Sequence, residues 1–254
     1  MADVSVVMIV KNEAGRIRAC LDSVRWAAEL VVVDGGSLDG TPEICREYRA
    51  RVFSREMAAG FGEQKNFAVA QATRPWILSL DADEVVTDPL RREIEDVVGR
   101  ADACDGYRMP RLTWFLGRPI RRCGWYPAPV LRLFRRGRGR FNDALVHEEV
   151  IVDGRMGDLG ADLLHHSYES IADHLRKLDL YAGLDARMLA RRGVRLTARS
   201  APWLLVVKPF LAFVRRYVAQ RGVLEGRHGL VLCASAAFVV FVNAVKLWEL
   251  DAAR

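Results

Sequence analysis

Two cofactor loops are missing from this 254-residue chain. No Gly-x-Gly-x-x-Gly follows the first apolar run, so a nicotinamide or flavin cofactor is unsupported, and the Walker phosphate loop is absent as well. Cysteine is sparse: Cys20, Cys45, Cys104, Cys123 and Cys233 are odd in number, scattered, and contain no Cys-x-x-Cys. That pattern argues against a disulfide framework and a zinc site and suits a reducing cytoplasm. No charged-then-apolar leader precedes the first strand pattern, so no secretory signal is expected. Internal repeats, low-complexity linkers and nucleic-acid-binding motifs are equally lacking. A hydrophobic content of 51% and a charged content of 28% exclude a disordered chain, and the length suits one α/β domain plus a tail.

What is present is a series of apolar runs that end in polar residues. Val4 to Val10 (VSVVMIV) is rich in β-branched residues; Lys11-Asn12-Glu13 follows, and Ile17, Leu21 and Val24 then recur at helical spacing. Leu30 to Val33 ends in Asp34 and a turn-rich stretch containing Asp39. Thr41-Pro42 supplies an N-cap and a first-turn proline for a helix through about Tyr48. Strands alternating with helices predict a mostly parallel sheet flanked by helices, with ligands beyond the carboxyl ends of the strands. Asn12, Glu13, Asp34, Asp39, Asp81 and Asp83 all fall at such ends.

Trp76 to Leu80 reads as a buried strand continuing into Asp81-Ala82-Asp83-Glu84. Alternation predicts Asp81 and Asp83 on one strand face. Two hard oxygen ligands there suit a divalent cation that also holds diphosphate oxygens, as nucleotide-sugar transfer requires. Taken singly, each carboxylate also fits a plain turn; the joint placement favours a site.

The pieces SVVMIVKNE, VVVDGGSLDGT, GFGEQKNFA and LSLDADE resemble the ordered motifs of inverting family 2 glycosyltransferases with the GT-A fold. GWYP, LRLFRR, LVHEEV, LLHHSY and KPFLAFVRRYV extend the likeness over nearly the whole chain. It is nearest to the bacterial lipopolysaccharide-core branch that includes inner-core β-1,4-glucosyltransferases. The resemblance implies that Asp34 binds the nucleobase end of the donor, with Asn12, Glu13 and Asp39 lining the pocket and Lys65 and Asn66 meeting the nucleotide. It implies that Asp81 and Asp83 engage ribose, diphosphate and metal. His165 would complete the metal site, favouring manganese over magnesium; packing behind the metal is the alternative role.

Inversion needs one base, because the acceptor hydroxyl attacks opposite the diphosphate and loses its proton as it does so. The family pattern places a His-Glu pair in LVHEEV, which makes Glu148 the base, with Glu149 in reserve. His147 would orient the base, touch substrate, or serve the fold alone.

The net charge of +6 is uneven. Arg111, Arg118, Arg121, Arg122, Arg132, Arg135, Arg136, Arg138 and Arg140 crowd the middle of the chain, with Trp114, Phe115, Trp125 and Tyr126 among them. Aromatic faces stack on sugars and arginine forks clamp phosphates, so Trp125, Tyr126 and Arg132, with His147, are expected to bind a phosphorylated glycolipid acceptor. Nucleic acid is the rival, and an acidic donor pocket has no place in it. A solvated surface accounts for any one arginine.

From Arg191 to Arg227 nearly every charge is basic, while Ala201 to Phe213 and Gly229 to Val245 are strongly apolar. Helices lying on the cytoplasmic leaflet of the inner membrane are expected, with buried core-closing or dimer-forming helices as the alternative. The division expected is therefore a GT-A domain over 1–186, with a donor half to about 100 and an acceptor half beyond it, and a helical tail over 187–254. The activity expected is metal-dependent (Mn2+ or Mg2+) inverting transfer of a hexose, with glucose first, from a UDP-sugar to a lipid-linked core glycan. A polyprenyl-phosphate transferase and a membrane-bound scaffold that retains a nucleotide fold are the alternatives.

Overall fold

Val4, Val6, Met8 and Val10 point to one face of the first strand while Val7 points to the other, and each face has its own core. In the computed structural model, residues 2–56, 60–142, 149–168 and 170–252 are described. The chain runs β1 (Ala2–Val10), α1 (Ile17–Ser23), β2 (Ala27–Asp34), α2 (Thr41–Glu47), β3 (Arg51–Ser54), α3 (Phe61–Gln71), β4 (Trp76–Ser79), β5 (Glu84–Val86) and α4 (Asp88–Val98). It continues through β6 (Gly106–Met109), β7 (Arg111–Phe115), β8 (Arg118–Pro119), β9 (Val130–Arg135), β10 (Gly139–Phe141), β11 (Val150–Val152), β12 (Met156–Asp158) and β13 (Leu163–Tyr168). Helices α5 (Ile171–Arg191), α6 (Lys208–Val214) and α7 (Gly226–Ala252) follow.

Contacts divide the chain into two units, residues 1–112 with 128–165, and residues 113–127 with 166–254. This differs from a boundary near 186, which falls inside α5, because composition changes along a helix whose packing does not.

The first unit is built on a seven-stranded sheet in the order β12-β6-β9-β4-β1-β2-β3. Its pairs are parallel except those made by β9, which is antiparallel to both β4 and β6. Ile17 and Leu21 of α1 and Leu90 and Ile94 of α4 pack with Val4, Val6 and Leu78 on one face. Ala68 of α3 packs with Val7, Val31, Val33 and Ile77 on the other. Full burial of each such valine, leucine or isoleucine stabilises by about 1.5–3 kcal/mol, and Leu78→Ala, at 0% exposure, would cost about 2–5 kcal/mol. The Thr87 hydroxyl caps α4 by accepting from the Leu90 N–H. Gly40, in a left-handed conformation at φ 82°, precedes α2 instead of the expected Thr41 cap. The Thr41 hydroxyl is engaged by Asp39 and by the Glu13 N–H.

In the second unit, Phe115, Ile120 and Cys123 form a core with Leu232 and Cys233 of α7. The Ser170 hydroxyl caps α5 by accepting from the Asp173 N–H. Helix α6 is flanked by π-helical turns at Trp203–Val207 and Arg215–Ala219. Helix α7 combines buried residues such as Leu232, Ala244 and Leu247 with exposed Leu230, Phe238 and Trp248. The tail thus closes a core and also presents apolar side chains to solvent.

Candidate active site

Strand β4 stops at Ser79, and the Glu84 N–H donates to the Asp81 carbonyl at 3.0 Å, closing a turn over Asp81–Glu84. The expectation that Asp81 and Asp83 alternate along one strand face is therefore corrected: they belong to a turn, and a turn aims neighbouring side chains apart. The Asp81 carboxylate receives Lys65 Nζ at 3.0 Å and Arg132 Nη2 at 2.5 Å. Asp83 instead faces His165, with Oδ2 and Nε2 at 3.5 Å.

Glu84, fully buried, accepts from Arg132 Nη2 at 2.6 Å, and Arg111 approaches it at 3.7 Å. Burial alone would raise the Asp81 pKa; the Arg132 and Lys65 charges outweigh it and hold the carboxyl well below the usual carboxylate range. Burial likewise disfavours the Arg132 cation, and Asp81 and Glu84 reverse that and raise its pKa. Lys65 reaches this cluster because α3 packs against β1 and β2, and its ammonium also lies 5.3 Å from the centre of the Phe141 ring. Lys65 is only 5% exposed and so is not a solvated surface residue of its helix.

Around the ends of β1 and β2 the loops hold one another. The Asn12 side chain accepts from the Leu38 N–H at 2.8 Å, and Asp39 accepts from the Ala14 N–H at 3.0 Å and the Thr41 N–H at 3.1 Å. Asp34, almost buried, accepts from the Gly36 and Ser37 N–H groups. The structure brings Asn12, Glu13, Asp34 and Asp39 together at the carboxyl ends of neighbouring parallel strands.

Residues 5–119 match the model of glycosyl transferase family 2. The match covers just under half of the chain and supports a glycosyltransferase enzyme. The glycosyltransferase is 29% identical over 98% of its length to a lipopolysaccharide core biosynthesis glycosyltransferase, LpsC, of Rhizobium meliloti, covering 93% of that protein. It is 28% identical over 99% of its length to an uncharacterized glycosyltransferase of Rickettsia typhi, covering 88% of it. A mannosyltransferase of Pyrobaculum calidifontis, solved with GDP-Man and Mn2+, superimposes with a TM-score of 0.57 at 16% identity, over 97% of this chain and 87% of that one. The fold is the expected GT-A fold.

Two expected ligand residues are engaged by the protein's own groups. Arg132, expected at the acceptor, lies on β9 in the carboxylate cluster, because β9 inserts between β4 and β6 and carries it beneath the turn. Asn66, expected to meet nucleotide, engages the Phe141 backbone with both ends of its amide: Nδ2 donates to the carbonyl at 2.9 Å and Oδ1 accepts from the N–H at 2.8 Å. Glu84 and Arg111 were not expected in the cluster. The only sequence signal for Glu84 is a third acid placed directly before Val85-Val86.

Expected acceptor residues Trp125 and Tyr126 belong to the second unit. Trp125 packs against Phe115 and Tyr168, and Arg121 stacks over Tyr126 at 4.9 Å. His147 and Glu148 lie outside the described residues; the reserve base Glu149 is exposed, and its N–H donates to Asn142. Much of the arginine crowd is paired: Arg118 with Glu225, Arg135 with Asp105, Arg138 with Asp153. Such pairing reduces the cationic surface that composition suggested for phosphate binding.

The residues facing each other can accommodate a divalent cation. Neighbouring donors in an octahedron with ~2.1 Å bonds sit about 3.0 Å apart, so the Asp83–His165 separation of 3.5 Å would close by about half an ångström around such an ion. Asp81 is not free to join them while Lys65 and Arg132 hold it, and no cluster of three acidic, histidine or cysteine ligands occurs among the described residues. Asp83 and His165 would therefore share such an ion with diphosphate oxygens and water.

Proposed function

We propose that the protein transfers a hexose, glucose first, from a UDP-sugar to a lipopolysaccharide-core or related lipid-linked glycan, with inversion, at the cytoplasmic face of the inner membrane. The observation that carries this reading is the Asp83–His165 pair beside the Asp81–Lys65–Arg132 cluster at the end of β4. The similarity to a lipopolysaccharide core biosynthesis enzyme over nearly the full length supports the acceptor class. The manganese-bound mannosyltransferase of the same fold supports metal dependence.

A divalent ion held by Asp83 and His165 would offset charge gathering on the leaving diphosphate. Lys65, already cationic beside Asp81, would turn part of its charge toward the same phosphates. Asp34 would accept from the base, with Asn12, Glu13 and Asp39 shaping the pocket. Glu148 would take the proton of the attacking hydroxyl. Trp125 and Tyr126 would stack on acceptor sugars, and the exposed apolar and basic surface of the second unit would meet the membrane.

The test is transfer to truncated lipopolysaccharide cores with Mn2+, using UDP-glucose, UDP-galactose and GDP-mannose in parallel and reading the new anomeric configuration by NMR. An inverted linkage from a UDP-hexose supports the reading. Transfer from GDP-mannose alone removes UDP, and transfer to a bare polyprenyl phosphate but to no core glycan moves the enzyme to the alternative class.

A further inference from the structure

The second unit contains a cavity of about 750 Å³ in which Trp125 at the wall is the one residue given a role above. That size lies within the range of small-molecule sites, about 300–1,000 Å³. Its walls are apolar where Leu178, Leu232 and Val239 of α5 and α7 face Leu211 of α6. Three cations, Lys208, Arg215 and Arg216, also line it. Arg216 donates to the Cys123 carbonyl at 2.9 Å, whereas Lys208 and Arg215 pair with no carboxylate among the described residues. The lining carboxylate Asp185 accepts from the Asn243 amide at 3.2 Å. The cavity therefore combines an apolar interior with an excess of positive charge, three cations against one carboxylate, which matches the two halves of an amphipathic anion.

The helix that supplies the cations also indicates the source of that anion. Trp203, Val206 and Phe210 are 53%, 65% and 63% exposed. Residues 187–221 contain arginine and lysine but no aspartate or glutamate. An apolar surface among cations, without a single acid, suits the boundary of an anionic leaflet. The π-helical turns on either side of α6 widen the helix where Lys208 and Arg215 occur, and such turns are frequent at binding sites.

We propose that this cavity seats one anionic phospholipid drawn from the bilayer, with an acyl chain between α5, α6 and α7 and its phosphate on Lys208 and Arg215. The proposal deepens the membrane part of the function proposed above, and a monomeric lipid separates the two. Calorimetric titration with dihexanoyl phosphatidic acid below its micelle threshold is expected to show saturable one-to-one binding. Dihexanoyl phosphatidylcholine and inorganic phosphate should bind at least tenfold more weakly, since each lacks one half of the match. Ala236→Phe or Ser235→Phe, both on the cavity wall, should abolish binding in protein that circular dichroism shows to be folded. The surface double variant Lys208→Gln/Arg215→Gln should weaken binding at least tenfold.

Equal affinity for all three probes, or unchanged affinity in the double variant or in a folded filled variant, overturns the proposal. Vesicle binding without monomer binding overturns the cavity and spares the membrane reading; monomer binding without vesicle binding does the reverse.

Discussion

Arg132 and Asp81 are 51 positions apart in the chain and 2.5 Å apart in space, and the same Nη2 lies 2.6 Å from Glu84. One guanidinium nitrogen on the antiparallel strand thus joins the turn that carries Asp83 to the start of β5. Removing it leaves a fully buried Glu84 short of its nearest cation, and breaking a buried pair from one side costs about 3–5 kcal/mol. Arg132→Met is expected to lower the urea midpoint accordingly, while Arg132→Lys recovers part of the loss. A midpoint unchanged in Arg132→Met would show that Arg111 alone compensates Glu84.

Asp83 has 15% of its side chain exposed, less than a strand-end ligand in open solvent would have. Asp83→Asn keeps its shape and removes its charge. Metal-dependent UDP binding and turnover should fall at least a hundredfold, with the melting temperature shifting by no more than a few degrees. UDP affinity that responds to Mn2+ as in the wild type would remove Asp83 from the metal site.

Glu148→Gln is expected to bind donor nearly normally and to lose most of its transfer rate, because only proton acceptance is removed. If Glu149→Gln is inactive instead, the base moves by one residue. The comparison should be made on kcat, with donor affinity measured separately.

His174 of α5 is 8% exposed, packs edge-on to Phe115 and Tyr168, and has neither ring nitrogen hydrogen-bonded. Burial, and then the nearby Lys177 charge, lower its pKa from the ordinary value near 6.5. The unfolded chain therefore binds a proton in a range where the folded one does not, and stability is lost as pH falls through about 6.5. Denaturant melts at pH 7.5 and 5.5 should show this loss, and His174→Phe should flatten it. The same slope in His174→Phe would assign the effect to another group.

Vesicle binding should weaken as salt rises, since attraction between arginine and head groups is screened over about 8 Å at physiological ionic strength. Removal of everything after Arg191 is a poor test, because Leu232 and Cys233 complete the core around Phe115 and Cys123. Trp203→Ser/Phe210→Ser, on exposed positions, should instead reduce the salt-resistant part of binding while near-UV circular dichroism is unchanged. Undiminished binding would place the membrane contact elsewhere.

The strands β1 and β2 and the acids at their ends were legible because local signals suffice there: β-branched runs, a first-turn proline, a change of period. The position of Asp81 and Asp83 on a turn was not, since four residues of sequence do not reveal where β4 yields to β5. Arg132 was one arginine among nine similar ones until β9 paired between β4 and β6, a contact made across 51 residues. Asn66 fitted a ligand role by motif, while the Phe141 backbone that its amide engages lies 75 positions away. Long-range pairing decided each of these residues, and periodicity carries no information about it.

The Asn66 amide meets Phe141 as a neighbouring strand would, giving and receiving one hydrogen bond each. The residue before it, Lys65, pairs with the Asp81 carboxylate, and the chain just past Phe141 leads toward Glu148. A single amide therefore ties α3, the helix that carries Lys65, to the end of β10. Its loss would unfasten helix and strand at both hydrogen bonds at once, a break of two surfaces made by one side chain.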